Sequence, residues 1–218
     1  MEKIISIHYA CSDLNGGSLS CVTAISLYEI ETQKSVSFSI AEAKERLGMD
    51  VSEAILERDV LERFFDFAHT YENSLWIHWH MSSSLYGFEA LVERYGVLSG
   101  VYFDITFRSI NLPDRLYTRY QKRCMIYPKM VSFLDKNEFD TTLILYGEEE
   151  AKAYQKGDFD AIKISSLLKA KAFGEIFSVT LLDHKWRTPC SLNYSRLIWI
   201  ALCVIGSIVA ILYFKIGN

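Results

Sequence analysis

The fold class the sequence predicts is α/β, a mixed sheet flanked by helices and followed by one C-terminal transmembrane helix. Three observations carry this reading. Residues 34–40 alternate strictly, with Val36, Phe38 and Ile40 on one face and Ser35, Ser37 and Ser39 on the other, the period-two signature of a half-buried strand. Beyond residue 50, apolar positions recur three and four apart and are interrupted by short aromatic-rich runs, which reads as helices interleaved with strands. The run 197–214 holds eighteen residues without a charge. At about 1.5 Å per residue that is long enough to span a bilayer core.

The elements follow in order. Strands over 3–9, 19–28 and 34–40 are joined at Asn15-Gly16-Gly17 and Glu31-Thr32-Gln33 into an antiparallel meander. A long amphipathic helix comes next. Asp50 caps its first turn, Glu53 reaches back as in a capping box, and Val51, Ile55, Leu61, Phe64, Phe65 and Ala68 fall near one face. Residues 75–80 read as a fourth strand. A helix over 85–95 places Leu85, Phe88, Val92 and Tyr95 at helical spacing, and 101–107 reads as a fifth strand. Asn111-Leu112-Pro113 opens another helix, because Asn caps and Pro is tolerated in the first turn. Within 127–147 a short helix precedes an extended 141–146. The final helical region, 148–182, breaks near Gly157.

The expected organisation is an α/β domain over 1–184, a basic linker over 185–196, the span over 197–214 and a short tail over 215–218. Arg196 and Lys215 bracket the span and can snorkel, while Trp199 and Tyr213 lie near its ends at the headgroup level. Lys185, Arg187 and Arg196 precede the span and only Lys215 follows it, so the positive-inside bias places the N-terminal domain in the cytoplasm. No secretory signal pattern opens the chain. Cys11, Cys21, Cys124, Cys190 and Cys203 are odd in number and form no C-x-x-C pair, which favours free thiols over a disulfide framework or a zinc site. A net charge of −4 argues against a generic nucleic-acid binder.

Three antiparallel strands, a helix, a strand, a helix, another strand and closing helices resemble the order of ribonuclease-H-like domains of the proofreading-exonuclease type. The stretch Trp76-Ile77-His78-Trp79-His80-Met81, followed by Tyr86-Gly87-Phe88-Glu89, also resembles bacterial proteins of unassigned function in which a strand ends in His-Trp-Asn-Met and a Tyr-Gly-Phe helix follows. Exonucleases of that fold hold two divalent cations on four carboxylates, two of them two residues apart on the first strand. Here that strand reads Ile4-Ile5-Ser6-Ile7-His8-Tyr9-Ala10, without Asp or Glu. The resemblance therefore implies the fold and argues against its usual chemistry, which points to a pseudo-enzyme.

Two constellations are candidate sites. His78 and His80 share a strand face by i, i+2 alternation, and the resemblance makes the first strand their neighbour, so His8 completes a candidate set for a divalent metal. No other cofactor is expected, because no phosphate-binding glycine loop, nucleophile elbow or H-E-x-x-H pair is present. Arg115, Arg119, Lys122 and Arg123 fall at i, i+4, i+7 and i+8 on one helix side, extended by Arg108 and Lys129 and interleaved with Tyr117, Tyr120 and Tyr127. Guanidinium groups fork phosphate oxygens and aromatic rings stack on bases, so this face suits an anionic ligand, a nucleotide or nucleic acid, or anionic lipid headgroups. Against it stands an acidic stretch over 135–160 with eight carboxylates and three lysines, and the two patches are complementary between copies. Cys203 and Ser207, and Gly206 and Ala210, form small-xxx-small pairs that let spans associate in lipid.

The expected function is that of a tail-anchored, single-span protein. Its non-catalytic cytosolic head binds a ligand or protein partner, self-associates and acts at the membrane lipid, a layout that resembles membrane effectors of bacterial antiviral defence. A second expectation is a membrane-tethered metal-dependent nuclease or phosphodiesterase using His8, His78, His80 and Asp13 or Glu89. A third is a passive tether for a cytosolic partner.

Overall fold

The computed structural model describes residues 3–13, 20–104, 106–120 and 129–181. Strands β1 (Ile4–Cys11), β2 (Val22–Glu29) and β3 (Lys34–Ser39) form the expected antiparallel meander. Helices α1 (Ile40–Leu47) and α2 (Glu53–His69) follow, then β4 (Leu75–His78), α3 (Phe88–Ser99) and β5 (Ser109–Asn111). Helices α4 (Leu112–Tyr120), α5 (Met130–Lys136), α6 (Glu148–Gln155) and α7 (Phe159–Leu181) complete the described fold. The sheet order is β3-β2-β1-β4-β5, with β4 parallel to both β1 and β5. This is a mixed five-stranded sheet flanked by helices, compatible with ribonuclease-H-like topology.

Each face of the sheet buries its own core. On one, α2 lays Leu56, Val60, Leu61, Phe64, Phe65 and Ala68 against Ile5, Ile7 and Tyr9 of β1 and Trp76 of β4. The other carries Ile77 and Trp79 against Leu112 and Leu116 of α4, Phe133 of α5, and Phe173 and Ile176 of α7. Helix α7 approaches closely because its sheet-facing side is small. A Cβ on Gly174 would lie 2.5 Å from the Tyr28 ring and 2.8 Å from Ser6 Oγ. One and two turns earlier, Ala170 and Ser166 are also buried. Ser6 Oγ donates to the Ala170 carbonyl at 2.6 Å, so the polar atoms of this seam satisfy one another.

Several boundaries differ from the sequence reading. Helix α1 begins at Ile40, which the alternation had assigned to a strand, because Ser39 Oγ accepts from the Glu42 N–H and caps a new helix there. Helix α2 is flanked by Ser52 without a side-chain cap, and Ile55 stands 54% exposed while Leu56 and Val60 take the core positions. The predicted 85–95 helix starts later, at Phe88. Among the described residues of 101–107 the predicted strand does not form. Val101 and Tyr102 are exposed, and Phe103 and Phe107 plug the core by stacking on Phe65 and Phe88 at 4.9 and 4.2 Å. Ring burial, not sheet pairing, uses that apolar run, and the fifth strand is the short Ser109–Asn111. Residues 141–146 form a turn, with the Ile144 N–H bonded to the Thr141 carbonyl, instead of an extended segment.

No helix among the described residues is long and apolar enough to cross a membrane. The span over 197–214, with Cys203, Gly206, Ser207 and Ala210, and the linker over 185–196 lie outside the described residues.

Candidate ligand-binding cleft

The chain leaves β1 toward β2 on one side and returns through α2 to β4 on the other. Such a reversal opens a crevice beyond the carboxyl ends of the two adjacent parallel strands, where open α/β sheets bind ligands. A cleft of about 430 Å³ lies there, lined by residues of β1 and the end of β4 (His8, Tyr9, Trp79, His80), by Tyr86, Lys129, Met130, Tyr146 and Gly147, and by Glu150, Lys169 and Phe173 of α6 and α7.

The polar floor comes from three elements. His8 of β1 places Nδ1 3.0 Å from Ser166 Oγ, and that hydroxyl donates to the His8 carbonyl at 3.3 Å. Burial, reinforced by the Lys169 charge, holds the His8 pKa well below the ordinary imidazole value, so the ring is neutral at pH 7. Lys169 is only 1% exposed and bonds Glu150 Oε1 at 2.8 Å. Burial lowers its pKa and the Glu150 carboxylate opposes the shift. The Lys169 ammonium also lies 5.5 Å from the centre of the Tyr146 ring. Tyr146 Oη is buried without a hydrogen-bond partner, and burial, with the Asp135 and Glu149 charges, pushes its pKa up to about 12.

The walls are aromatic. Trp79 stacks on Phe173 at 5.6 Å and 30°, and Tyr9 on Tyr86 at 4.3 Å and 21°. The Tyr86-Gly87-Phe88 motif is the latch that holds the second stack. Tyr86 Oη donates to the Tyr9 carbonyl at 2.8 Å, and the Gly87 N–H donates to Tyr9 Oη at 3.0 Å. A Cβ on Gly87 would lie 2.4 Å from the Met81 carbonyl oxygen, so only glycine fits. Phe88 then starts α3 and packs on Trp76 and Phe107.

The expected three-histidine set is not brought together. Pairing of Ser6 with Ile77 puts His8 opposite Trp79 and His78 opposite Ile7, so by alternation His8 and His78 face opposite sides of the sheet. His78 Nδ1 accepts from the Met81 N–H at 3.1 Å and its ring meets Phe88 edge-on, with burial lowering its pKa to about 4. His80 follows the end of β4 with φ 61°, which breaks the i, i+2 alternation, and its N–H donates to Asn111 Oδ1 at 2.9 Å. Only His8 and His80 share the cleft. Among the described residues no group of three His, Cys, Asp or Glu side chains could hold a metal ion. Asp13 is exposed beyond β1, with its carbonyl accepting from Ser20 Oγ, and Glu89 lines a separate cleft of about 540 Å³ beside α3.

The helix predicted to open at Asn111-Leu112-Pro113 forms as α4, described to Tyr120. Leu112 and Leu116 are buried one turn apart, which leaves Arg115 and Arg119 exposed on its other side and outside the cleft lining. Tyr120 is its last residue. Its side chain, with Lys122 and Arg123, lies outside the described residues.

Sequence reasoning missed Trp79, Tyr146, Glu150, Ser166 and Lys169. Lys169 did leave a trace, because it occupies a helical position between Ile162, Ser165, Ser166 and Phe173, all of which point inward. A charged residue on the buried stripe of a helix demands a partner, and the acidic first turn of α6 supplies it.

Comparison with protein-family models and with curated proteins returns no match to this chain.

Proposed function

We propose that this domain is a non-nucleolytic ligand-binding module on a ribonuclease-H-like frame, held at a membrane by the 197–214 helix. The observation that carries the reading is the cleft at the ends of β1 and β4. The carboxylates that a two-metal nuclease needs on its first strand are replaced there by a neutral imidazole, aromatic walls and a charge-compensated Lys169–Glu150 pair. Such a site can bind and orient a small molecule but offers little to a pair of divalent cations. The fourteen-residue stretch from Lys156 to Lys169 runs from an exposed α6 end into the cleft floor, so occupancy bears directly on α6 and α7, which carry the acidic surface. The basic cluster Arg115, Arg119, Tyr120, Lys122 and Arg123, of which Arg115 and Arg119 are exposed on α4, pairs with anionic lipid or the acidic surface of another copy, and the small-residue pairs Cys203/Ser207 and Gly206/Ala210 associate the spans.

The test uses the full-length chain. Carbonate-resistant membrane association that is lost on deletion of 197–214, a defined oligomeric mass in detergent, and no turnover of labelled single-stranded RNA or DNA with magnesium or manganese are the expected results. Nuclease activity abolished by His8→Ala would replace this reading with a catalytic one. Extraction of the intact chain by carbonate would remove the membrane anchor from it.

A further inference from the structure

The larger cleft, about 540 Å³, lies between α3 and the loop that leads into β5, and it shares no lining residue with the cleft at the ends of β1 and β4. Its floor is apolar and open. Phe88, Val92, Phe103 and Phe107 line it and are only partly buried, with Phe107 stacked on Phe88 at 4.2 Å, so apolar surface stays accessible to a ligand. The charge around that floor has one sign. Glu89 and Glu93 of α3 and Asp104 of the loop line the cleft, all three exposed, and no Lys or Arg lines it with them. Arg94, the one cation of α3, turns instead to the buried Glu57 carboxylate, which it bonds at 2.7 and 2.5 Å. Among the described residues, Glu89, Glu93 and Asp104 have no ion-pair or hydrogen-bond partner. Glu89 and Glu93 are also like charges at i, i+4, an arrangement that repels within the helix until a cation neutralises it.

From these features we infer that this second cleft binds a flexible organic polyammonium ion, the chemistry of a polyamine such as spermidine. Glu89 and Glu93 stand one helical turn apart, about 5–6 Å between Cβ atoms, which is the spacing of ammonium groups joined by three or four methylenes. The methylenes leave water against Phe88, Val92 and Phe107, and an ammonium group over a ring face gains cation–π attraction. A bare metal ion suits the site less well. Among the described residues no three His, Cys, Asp or Glu side chains converge to hold one, so the carboxylates are spread along the cleft as an extended cation requires. The inference goes beyond the binding-module reading, because it uses other residues and a ligand of its own.

The experiment is calorimetric titration of the full-length chain in detergent with spermidine, at low and at physiological ionic strength, with magnesium chloride as the competing inorganic cation. One spermidine binds per chain with micromolar affinity at low salt, and several-fold more weakly at physiological ionic strength. Glu89→Gln and Glu93→Gln each weaken it about fivefold, the fold-change of one rim ion pair, and the double variant weakens it further. Both side chains are exposed, so these variants keep the melting temperature of the free protein unchanged or raised. Thr106→Lys places a cation at the exposed rim without altering the aromatic floor and weakens spermidine about tenfold. Magnesium displaces spermidine only in large excess, because it gains nothing from the rings. No heat from spermidine at millimolar concentration would overturn the inference, as would an unchanged affinity in the double variant or displacement by an equal concentration of magnesium. Membrane retention and the absence of nuclease activity decide the binding-module reading separately.

Discussion

The face of the sheet under α2 and α3 is dominated by rings and aliphatic chains, whereas the face under α7 adds buried polar groups to an aromatic core of its own. On the first, Phe64 is fully buried and meets Phe38, Phe65, Trp76 and Phe107 within 6.4 Å. On the second, Ser6, His8, Ser166 and Lys169 are all buried and bonded to partners. Apolar burial stabilises without specifying a ligand, while buried polar groups contribute little net stability and hold atoms in fixed places. The candidate site takes its polar floor from the α7 face and one aromatic wall, Tyr9 on Tyr86, from the α2 face.

The largest expected effect breaks the first face. Phe64→Ala removes a ring from the centre of the aromatic core and lowers unfolding free energy by about 4 kcal/mol in a denaturant titration, without altering the residues that line the cleft. Next is the buried ion pair of the second face. Glu150→Gln leaves the Lys169 ammonium without its counter-charge and costs about 3 kcal/mol. Adding Lys169→Met restores most of that stability but not ligand binding, which is the sharpest distinction between the two faces.

Acid acts on both faces, with a calculable sign. His78 has a folded pKa of about 4 against an ordinary value of 6.5, and His8 is shifted the same way, because burial disfavours both charged imidazoles. The folded state binds fewer protons than the unfolded chain between those values. Stability is thus fully present above pH 6.5 and falls as pH drops toward 4, by roughly 3 kcal/mol for His78. Melting curves from pH 7.5 to 4.5 measure the slope. His78→Asn, whose Oδ1 can accept the Met81 N–H, flattens it. The smallest effect is Tyr146→Phe, within about 1 kcal/mol of wild type and on the stabilising side, since the hydroxyl it removes has no partner.

The ring-built face was far more legible in the sequence than the polar one. Leu61, Phe64, Phe65 and Ala68 repeat at helical spacing, and the strand alternation of Val36 and Phe38 is equally plain. The error on that face was confined to the first turn, where Ile55 is exposed and Leu56 is buried, while Leu61, Phe64, Phe65 and Ala68 are buried as the spacing predicts. The polar face was opaque. Its members come from positions 8, 79, 146, 150 and 169, far apart in the chain, and periodicity within any one segment is silent about what another segment brings to it. The histidine set failed for a related reason. His78 and His80 alternate only while the strand continues, and β4 ends at His78.

By itself the sequence determined the three-strand meander, the long helix after it, the fourth strand and the helix opening at Leu112, the lack of carboxylates on the first strand, and the uncharged run over 197–214. These follow from local rules, namely side-chain period, capping chemistry and charge content, which act within a few residues. Only the tertiary structure decided that β4 lies beside β1 in the register that sends His8 and His78 to opposite faces. It also decided that Gly174 lets α7 close on Ser6, and that Lys169 meets Glu150 beneath Tyr146. Those outcomes depend on how whole elements pack, where one residue of register or the absence of a single Cβ changes which atoms meet.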